Sequence, residues 1–232
     1  MIDGVFFIGS ALNVKQLSVF NNDERFKQTI ETIESIDKYC PNNMKVMFDT
    51  SYSEPNPEYV AELMARGVRY YWTGVNGDVQ RLSEAGQRSL AETIGFIMVL
   101  NAFNSYIKVA NIDVKRIYKI SGRYKLNEHF IPDREDFKDS FVFLPTVGSW
   151  MPEPHQLAAG VDRIFELRLW HMDANLLDTF SKEIYNILEE MSKYNIDVEH
   201  AYYKVLSKYK WTTVKPIGLE GVLAPTGVII NE

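Results

Sequence analysis

The sequence predicts an α/β protein with a mainly parallel central sheet, helices on both faces and a more irregular C-terminal half. In the first half, short apolar runs alternate with amphipathic stretches, which is the pattern of strands joined by helical crossovers. Each run ends at small or polar residues, as strands do at the edge of a sheet. Apolar residues make up 46% of the 232 residues, enough for a substantial core.

Four strands and three helices are predicted in the first half. The predicted strands cover residues 5–8, 45–48, 68–72 and 116–124. The first helix is capped at Asn22-Asp23 and ends before Pro41. The second begins at Asn56-Pro57 and stops at Gly67, and the third runs from Ser89 to about Tyr106. The polar, glycine-bearing stretch 73–86 is predicted to be a mobile loop.

The second half is less regular. Strands are predicted at 141–144, at 164–170 with one exposed face, and at 213–217, just before the glycine-rich tail 218–221. Amphipathic helices are predicted at 176–194 and 198–209. Because no repeat, low-complexity tract or linker is visible, the prediction is a single domain over residues 1–232. It is divided into residues 1–125 and residues 126–232.

Composition narrows the functional classes. The net charge of −6 argues against broad electrostatic binding to nucleic acid. Cys40 is the only cysteine, so no disulfide can form within the chain. Since no apolar run reaches membrane-spanning length and the start lacks the basic region of a secretory signal, we expect a cytoplasmic protein without a membrane span.

The predicted strand ends carry the candidate binding residues. A parallel sheet brings the carboxyl ends of its strands to one edge, where ligands of α/β proteins bind. Small residues there leave room for a base and a ribose, Asp49 can accept a hydrogen bond from either, and Arg123 offers a fork suited to diphosphate. Capping of a turn by Asp49 and a solvated Arg123 are the alternatives. The groups are Gly9-Ser10, Asp49-Thr50-Ser51, Thr73-Gly74 and Ser121-Gly122-Arg123-Tyr124.

Other motifs point away from several chemistries. The tail Gly218-Leu219-Glu220-Gly221 lacks the spacing of a phosphate-binding loop, but Glu220 could serve as a base or could simply lie exposed on a turn. The four histidines have no metal-ligand spacing, and no Gly-x-Ser-x-Gly elbow is present. No metal site is therefore predicted from these residues.

Two segments carry a resemblance to a known family. The helix at 24–36 with the strand Val46-Met47-Phe48-Asp49-Thr50-Ser51 resembles the nucleotide-binding half of GT-A glycosyltransferases. The segment Lys119-Ile120-Ser121-Gly122-Arg123-Tyr124, together with residues 217–225, resembles glycosyltransferase-like proteins encoded by phages and viruses. The resemblance implies a GT-A-like, Rossmann-related fold and transfer of a sugar from a nucleotide sugar, with a UDP-sugar favoured as the donor. It also implies that residues 1–125 are the nucleotide-binding half and residues 126–232 the acceptor-side half.

The chain departs from this family at one point. GT-A enzymes commonly hold a divalent ion with Asp-x-Asp where this chain has Ser121-Gly122-Arg123. One interpretation is a metal-independent enzyme in which Arg123, with Lys119 or Arg88, stabilises the leaving diphosphate. The start of the long helix at Arg88 and Ser89 would add an anion-binding terminus.

The resemblance also implies an acceptor site. The acceptor would be a glycan or a modified nucleobase, and an inverting reaction would need a carboxylate base. Glu220 is the leading candidate, with Glu153 and Asp173 behind it. Two alternatives stay open, namely a non-catalytic sugar- or nucleotide-binding protein and a sugar-phosphate nucleotidyltransferase. The missing Asp-x-Asp favours the former, and the missing glycine-rich loop near the N-terminus weighs against the latter.

Overall fold

The computed structural model describes residues 2–14, 19–223 and 227–232. The strands are β1 (Ile2–Ser10), β2 (Met44–Asp49), β3 (Val68–Trp72), β4 (Val114–Ser121), β5 (Tyr124–Leu126), β6 (Phe141–Phe143), β7 (Val147–Gly148), β8 (Arg163–Ile164), β9 (Leu169–Asp173), β10 (Trp211–Thr213), β11 (Leu219–Val222) and β12 (Ile229–Asn231). The α-helices are α1 (Asn22–Tyr39), α2 (Pro57–Ala65), α3 (Gly77–Glu84), α4 (Arg88–Val109), α5 (Glu153–Ala159), α6 (Leu177–Tyr194) and α7 (Val198–Leu206).

Seven strands form the central sheet in the order β10-β6-β9-β4-β1-β2-β3. Strand β1 pairs in parallel with both β2 and β4, and β2 pairs in parallel with β3. Strand β9 runs antiparallel to both of its neighbours, β4 and β6. Two small sheets, β12-β11-β5 and β7-β8, lie beside it. The predicted α/β fold with a mainly parallel sheet is confirmed.

Both faces of the sheet are covered, because alternate side chains of β1 belong to two different hydrophobic cores. Val5 and Phe7 belong to the larger core, which α4, α6 and α7 cover. Phe6 and Ile8 belong to the second core, beneath α1 and β5. Because consecutive strand residues point to opposite faces, a run that is apolar throughout is what a doubly covered strand requires.

Helix α4 is the central helix of the larger core. The ring of Phe96 contacts those of Phe7, Phe48 and Phe180, with centroid distances of 5.3, 5.2 and 6.0 Å. By length and composition alone, α4 is also the one helix in the described ranges that could cross a membrane. This corrects the expectation that no apolar segment is long enough, but the packing of α4 against the sheet is that of a core helix.

Three local predictions were wrong. The stretch 73–86 is a 3₁₀ turn followed by α3, because Asn76 caps that helix by accepting from the amides of Asp78 and Val79. The strand predicted at 164–170 is replaced by β8 and the fully buried β9. The last strand of the main sheet is β10, slightly before the predicted 213–217, because Trp211 pairs with Phe141.

Replacing Phe96 with alanine is expected to destabilise the fold strongly. Loss of a buried aromatic ring costs about 3–5 kcal/mol through lost burial and the cavity left behind. For a chain of this size that lowers the melting temperature by about 6 °C or more, measurable by thermal denaturation. Val109→Ala is the control, since Val109 is 89% exposed on the same helix. Equal melting temperatures for the two variants would contradict this account of the core.

Candidate functional site

A cavity of about 420 Å³ opens at the edge of the sheet where the parallel strands end. Gly9 and Ser10 line it from β1, Thr50 from the residue after β2, and Ser121 from the end of β4. The register explains this convergence, because Gly9 pairs with Ser121 and Ser10 pairs with Asp49. The predicted strand ends therefore meet at one edge, as a parallel sheet requires.

Four arginines line this cavity. Arg168, which precedes β9, pairs with Glu166 and Glu232. The other three come from different elements, namely Arg25 from α1, Arg88 from the first residue of α4 and Arg123 from the turn after β4. Burial and the nearby charges of Arg123 and Arg88 lower the pKa of Arg25 to about 10. Burial and Arg123 also lower the pKa of Arg88. The three guanidinium groups therefore repel one another, and an anion bound among them would relieve that repulsion.

Lys119 and Glu92 form an ion pair in the wall of the cavity, near the arginines. Burial raises the pKa of Glu92, but Lys119, its hydrogen bond and the charge of Arg123 together lower that pKa below its usual value. Glu92 is thus ionised and neutralises Lys119. The surplus positive charge of this region consequently comes from the arginines.

Aromatic and acidic residues form another wall, which we call the carboxylate wall: Trp150, Glu166, Glu199 and Tyr202. Glu199 lies in the first turn of α7. Burial, with the nearby charge of Asp197, raises the pKa of Glu199 to about 7. A carboxyl group with this pKa is partly ionised at neutral pH and can both accept and release a proton there.

Asp49 is fully buried and does not line the cavity. Its Oδ1 accepts from the Leu12 amide at 3.2 Å and from the amide and hydroxyl of Ser51 at 2.9 and 2.6 Å, while its Oδ2 accepts from the Tyr70 hydroxyl at 2.7 Å. Ser51 Oγ in turn accepts from the amide of Asn13. Asp49 and Ser51 therefore fix the segment after β1, whose Asn13 lines the cavity.

Gly122 contributes to the site through hydrogen bonds of its own backbone. Its amide donates to the Gly9 carbonyl at 2.8 Å, and its carbonyl accepts from Thr29 Oγ1 at 3.1 Å. A Cβ atom there would lie 3.2 Å from Thr29 Oγ1, which leaves little room for a side chain. Gly122 thus joins β1, α1 and the turn that carries Arg123.

None of the three carboxylates predicted as catalytic lines the cavity. Glu220 lies on β11 and pairs with Lys125 at 3.0 Å. Asp173 pairs with Arg116 in the sheet register, at the opposite edge, where it accepts from the amides of Asp139 and Asn175. Glu153 is exposed in the first turn of α5. The predicted binding residues Gly9, Ser10, Arg88, Ser121 and Arg123 do line it.

Sequence reasoning missed Arg25, Trp150 and Glu199. A signal for Arg25 existed, because Arg25, Thr29 and Thr32 recur at helical spacing and all three are buried on α1. A buried row of polar residues on a helix indicates that something polar faces it. No comparable pattern marks Trp150 or Glu199, which reach the cavity through tertiary packing.

The residues of this site do not fit a divalent metal ion. At the end of β4, where Asp-x-Asp would lie, stand Ser121, Gly122 and Arg123. Across residues 2–14, 19–223 and 227–232, no group of three or more His, Cys, Asp or Glu side chains could hold such an ion. Hard divalent cations take oxygen ligands, whereas this part of the cavity presents guanidinium groups.

Comparison with known proteins supports the fold. No family model and no curated protein matches the sequence. The chain is similar to the structure of core-mannan synthase A from Aspergillus fumigatus in its Mn/GDP form, with a TM-score of 0.53 and 13% identity over 93% of this chain and 73% of that one. It is also similar to the bifunctional glycosyltransferase WbbM in its apo form, with a TM-score of 0.54 and 11% identity over 92% of this chain. The match spans 38% of WbbM. The fold is therefore one that glycosyltransferases use.

The raised pKa of Glu199 predicts a pH-dependent cost in stability. The folded state binds the proton more tightly than the unfolded chain, so this cost is absent below a pH of about 4.5 and grows as the pH rises through about 7. Glu199→Gln is expected to leave the melting temperature nearly unchanged at pH 4 and to raise it by about 2 °C or more at pH 8. Glu189→Gln, on the exposed face of α6, is the control. A stabilisation by Glu199→Gln that is the same at both pH values would contradict this interpretation.

Proposed function

We propose that this protein transfers a glycosyl group from a nucleotide sugar to an acceptor hydroxyl and that arginines stabilise the diphosphate without a divalent ion. One observation carries the proposal: Arg25, Arg88 and Arg123 line one cavity at the carboxyl edge of a sheet of the type that glycosyltransferases use. In this proposal residues 1–125 supply most of the nucleotide site and residues 126–232 most of the acceptor site.

The charge of the cavity suits a diphosphate. When the glycosidic bond breaks, negative charge grows on the leaving diphosphate, and this charge must be stabilised in the transition state. Arginine presents a planar fork that binds phosphate oxygens through two hydrogen bonds. The first turn of α4 at Arg88 and Ser89 adds the positive end of a long helix on the same side.

The nucleoside would lie beside the segment that follows β1. Gly9, Ser10 and Asn13 line this part of the cavity together with Thr50 and Tyr52. Asp49 and Ser51 would support it by holding Leu12 and Asn13 in place, rather than by touching the nucleoside. The strand ends leave room for a base and a ribose, and a UDP-sugar, which the resemblance to GT-A enzymes favours, is the first donor to test.

The transfer step needs an acceptor oxygen and a group that takes its proton. The oxygen forms a bond to the anomeric carbon, the bond from that carbon to the diphosphate oxygen breaks, and the diphosphate leaves with the electron pair. Glu199 lines the cavity and carries a pKa of about 7. It is thus better situated to receive the proton than Glu220, Asp173 or Glu153, none of which lines the cavity.

A non-catalytic nucleotide-binding protein is the second candidate, since the residues do not fit the metal that the fold's enzymes commonly use. Such a protein would bind the same nucleotide sugar through the same arginines. Turnover separates the two candidates: slow hydrolysis of the donor to free sugar and nucleoside diphosphate is expected of the transferase and not of a binding protein.

Arg123→Ala is expected to weaken nucleotide-sugar binding by about tenfold or more, because a hydrogen bond to a charged group contributes about 1.5–3 kcal/mol. Calorimetry with UDP-, GDP-, CMP- and dTDP-sugars, each in EDTA and in manganese, measures the dissociation constant. The wild type should bind one nucleotide family equally well in both. Arg134→Ala is the control, since Arg134 pairs with Asp136 outside the cavity.

Three results would contradict the proposal. Absence of binding by every donor would remove the nucleotide-sugar site altogether. Binding that requires manganese, or that survives Arg123→Ala unchanged, would leave the nucleotide but remove the arginine-based diphosphate site.

A further inference from the structure

We infer that the carboxylate wall is a subsite for a neutral saccharide acceptor, in which Trp150 stacks on the sugar ring, Glu199 binds its hydroxyl groups and a Ser149–His200–Asp197 chain holds both residues in place. This inference rests on the proposed function, because the donor would occupy the side of the arginines. It adds the chemical class of the acceptor and the residues that position it.

Trp150 is a large aromatic surface at the cavity. Its side chain lines the cavity and is 62% exposed. Its ring meets that of the buried His200 edge to face, with centroids 5.1 Å apart and an interplanar angle of 83°. His200 thus holds the indole in place, while much of the indole surface stays exposed. Such a ring can stack on the C–H face of a sugar, and little conformational entropy is lost because the side chain is already held.

A hydrogen-bonded chain connects Trp150 to Glu199. Ser149 Oγ lies 2.7 Å from His200 Nε2, and His200 Nδ1 lies 2.5 Å from Asp197 Oδ1. Ser149 precedes Trp150 in sequence, and His200 follows Glu199. The chain therefore links the loop that carries Trp150 to the first turn of α7, which carries Glu199.

This chain has the members of a catalytic triad, but its hydrogen bonds favour a positioning role. Ser149 Oγ accepts from the Met151 amide at 3.0 Å, and the Ser149 amide donates to the Asp162 carbonyl at 2.8 Å. Asp197 also accepts from the His200 amide, as the cap of α7. Each member is engaged in fixing backbone, and His200 has no exposed surface.

The charges of the cavity select a neutral acceptor. Glu199 in the first turn of α7 and Glu166, which pairs with Arg168, lie on the side of β8, whereas Arg25, Arg88 and Arg123 belong to α1, the start of α4 and the turn after β4. Carboxylates accept hydrogen bonds from sugar hydroxyls and repel phosphate groups. Trp170 also lines the cavity, and its buried indole N–H has no acceptor among the described residues. A sugar oxygen could supply that acceptor.

The subsite can be tested with small probes. Saturation-transfer NMR would use methyl glycosides of common hexoses and N-acetylhexosamines, and the dinucleotide dTpdC as a nucleic-acid probe. At least one glycoside is expected to bind the wild type. Trp150→Ala should weaken that binding by about tenfold, while the Kd of the nucleotide sugar stays within about twofold. Leu157→Ala is the control, because Leu157 is exposed on α5 and does not line the cavity.

The positioning role is tested by rescue. Ser149→Ala is expected to raise the KM for the acceptor. Ser149→Thr keeps the hydroxyl group, so its KM should stay close to that of the wild type. Glu199→Gln should lower kcat and remove its rise between pH 6 and 8. The charged groups that act on Glu199 in that range are Asp197 and Glu92, which favour its protonated form, and Lys119, which together with a hydrogen bond from the backbone of Glu199 favours the ionised form.

The outcomes separate this inference from the proposed function. If no donor binds, the proposed function fails. If the donor binds, the subsite is overturned by any of three results: no glycoside binds, dTpdC binds through Trp150, or Trp150→Ala leaves the acceptor KM unchanged. Equal effects of Ser149→Ala and Ser149→Thr would overturn the positioning role alone.

Discussion

The buried strand β1 fixes the positions of the other parts of the site, because it pairs in parallel on both sides and is covered on both faces. Its register with β4 sets Gly9 against Ser121, and its register with β2 sets Ser10 against Asp49. A shift of one residue would exchange Phe6 and Phe7 between the two cores, so the hydrophobic pattern specifies this register strongly. The Gly122 amide then donates to the Gly9 carbonyl, which ties the Arg123 turn to the same strand.

Electrostatics divides the cavity that this frame creates. On one side, burial and then the charge of Arg123 lower the pKa values of Arg25 and Arg88. Glu199 responds to burial and to the neighbouring Asp197, with Lys119 opposing them. The Lys119–Glu92 ion pair interacts with both sides of the cavity. The charge of Arg123 lowers the pKa of Glu92, and the charge of Glu92 raises the pKa of Glu199. One cavity can thus hold an anion-binding side and a carboxyl group with a pKa near neutrality.

Much of the frame could be predicted from the sequence, because buried strands and capped helices leave local signals. The strand ends at Gly9-Ser10 and Ser121 were predicted and do line the cavity, as do Arg88 and Arg123. The sequence did not reveal the roles of residues whose position depends on strand direction or on tertiary packing. Asp173 follows a predicted strand, but β9 runs antiparallel and carries it to the opposite edge. Trp150 and Glu199 come from a loop and a helix start that only tertiary contacts bring together.

The arginines also bear on why the Asp-x-Asp common in GT-A enzymes is missing at the end of β4. An Asp-x-Asp at the end of β4 would introduce two carboxylates beside Arg25 and Arg88, and these would pair with the guanidinium groups instead of with a ligand. Conversely, a metal ion placed beside Arg25, Arg88 and Arg123 would be repelled by their guanidinium groups. A metal-binding pair of aspartates and an arginine cluster are therefore alternative solutions to stabilising one diphosphate. The proposed function uses the second solution, and it involves more than one residue, because Arg25 on α1 is held by the Ala11 carbonyl, in the segment that Asp49 and Ser51 fix.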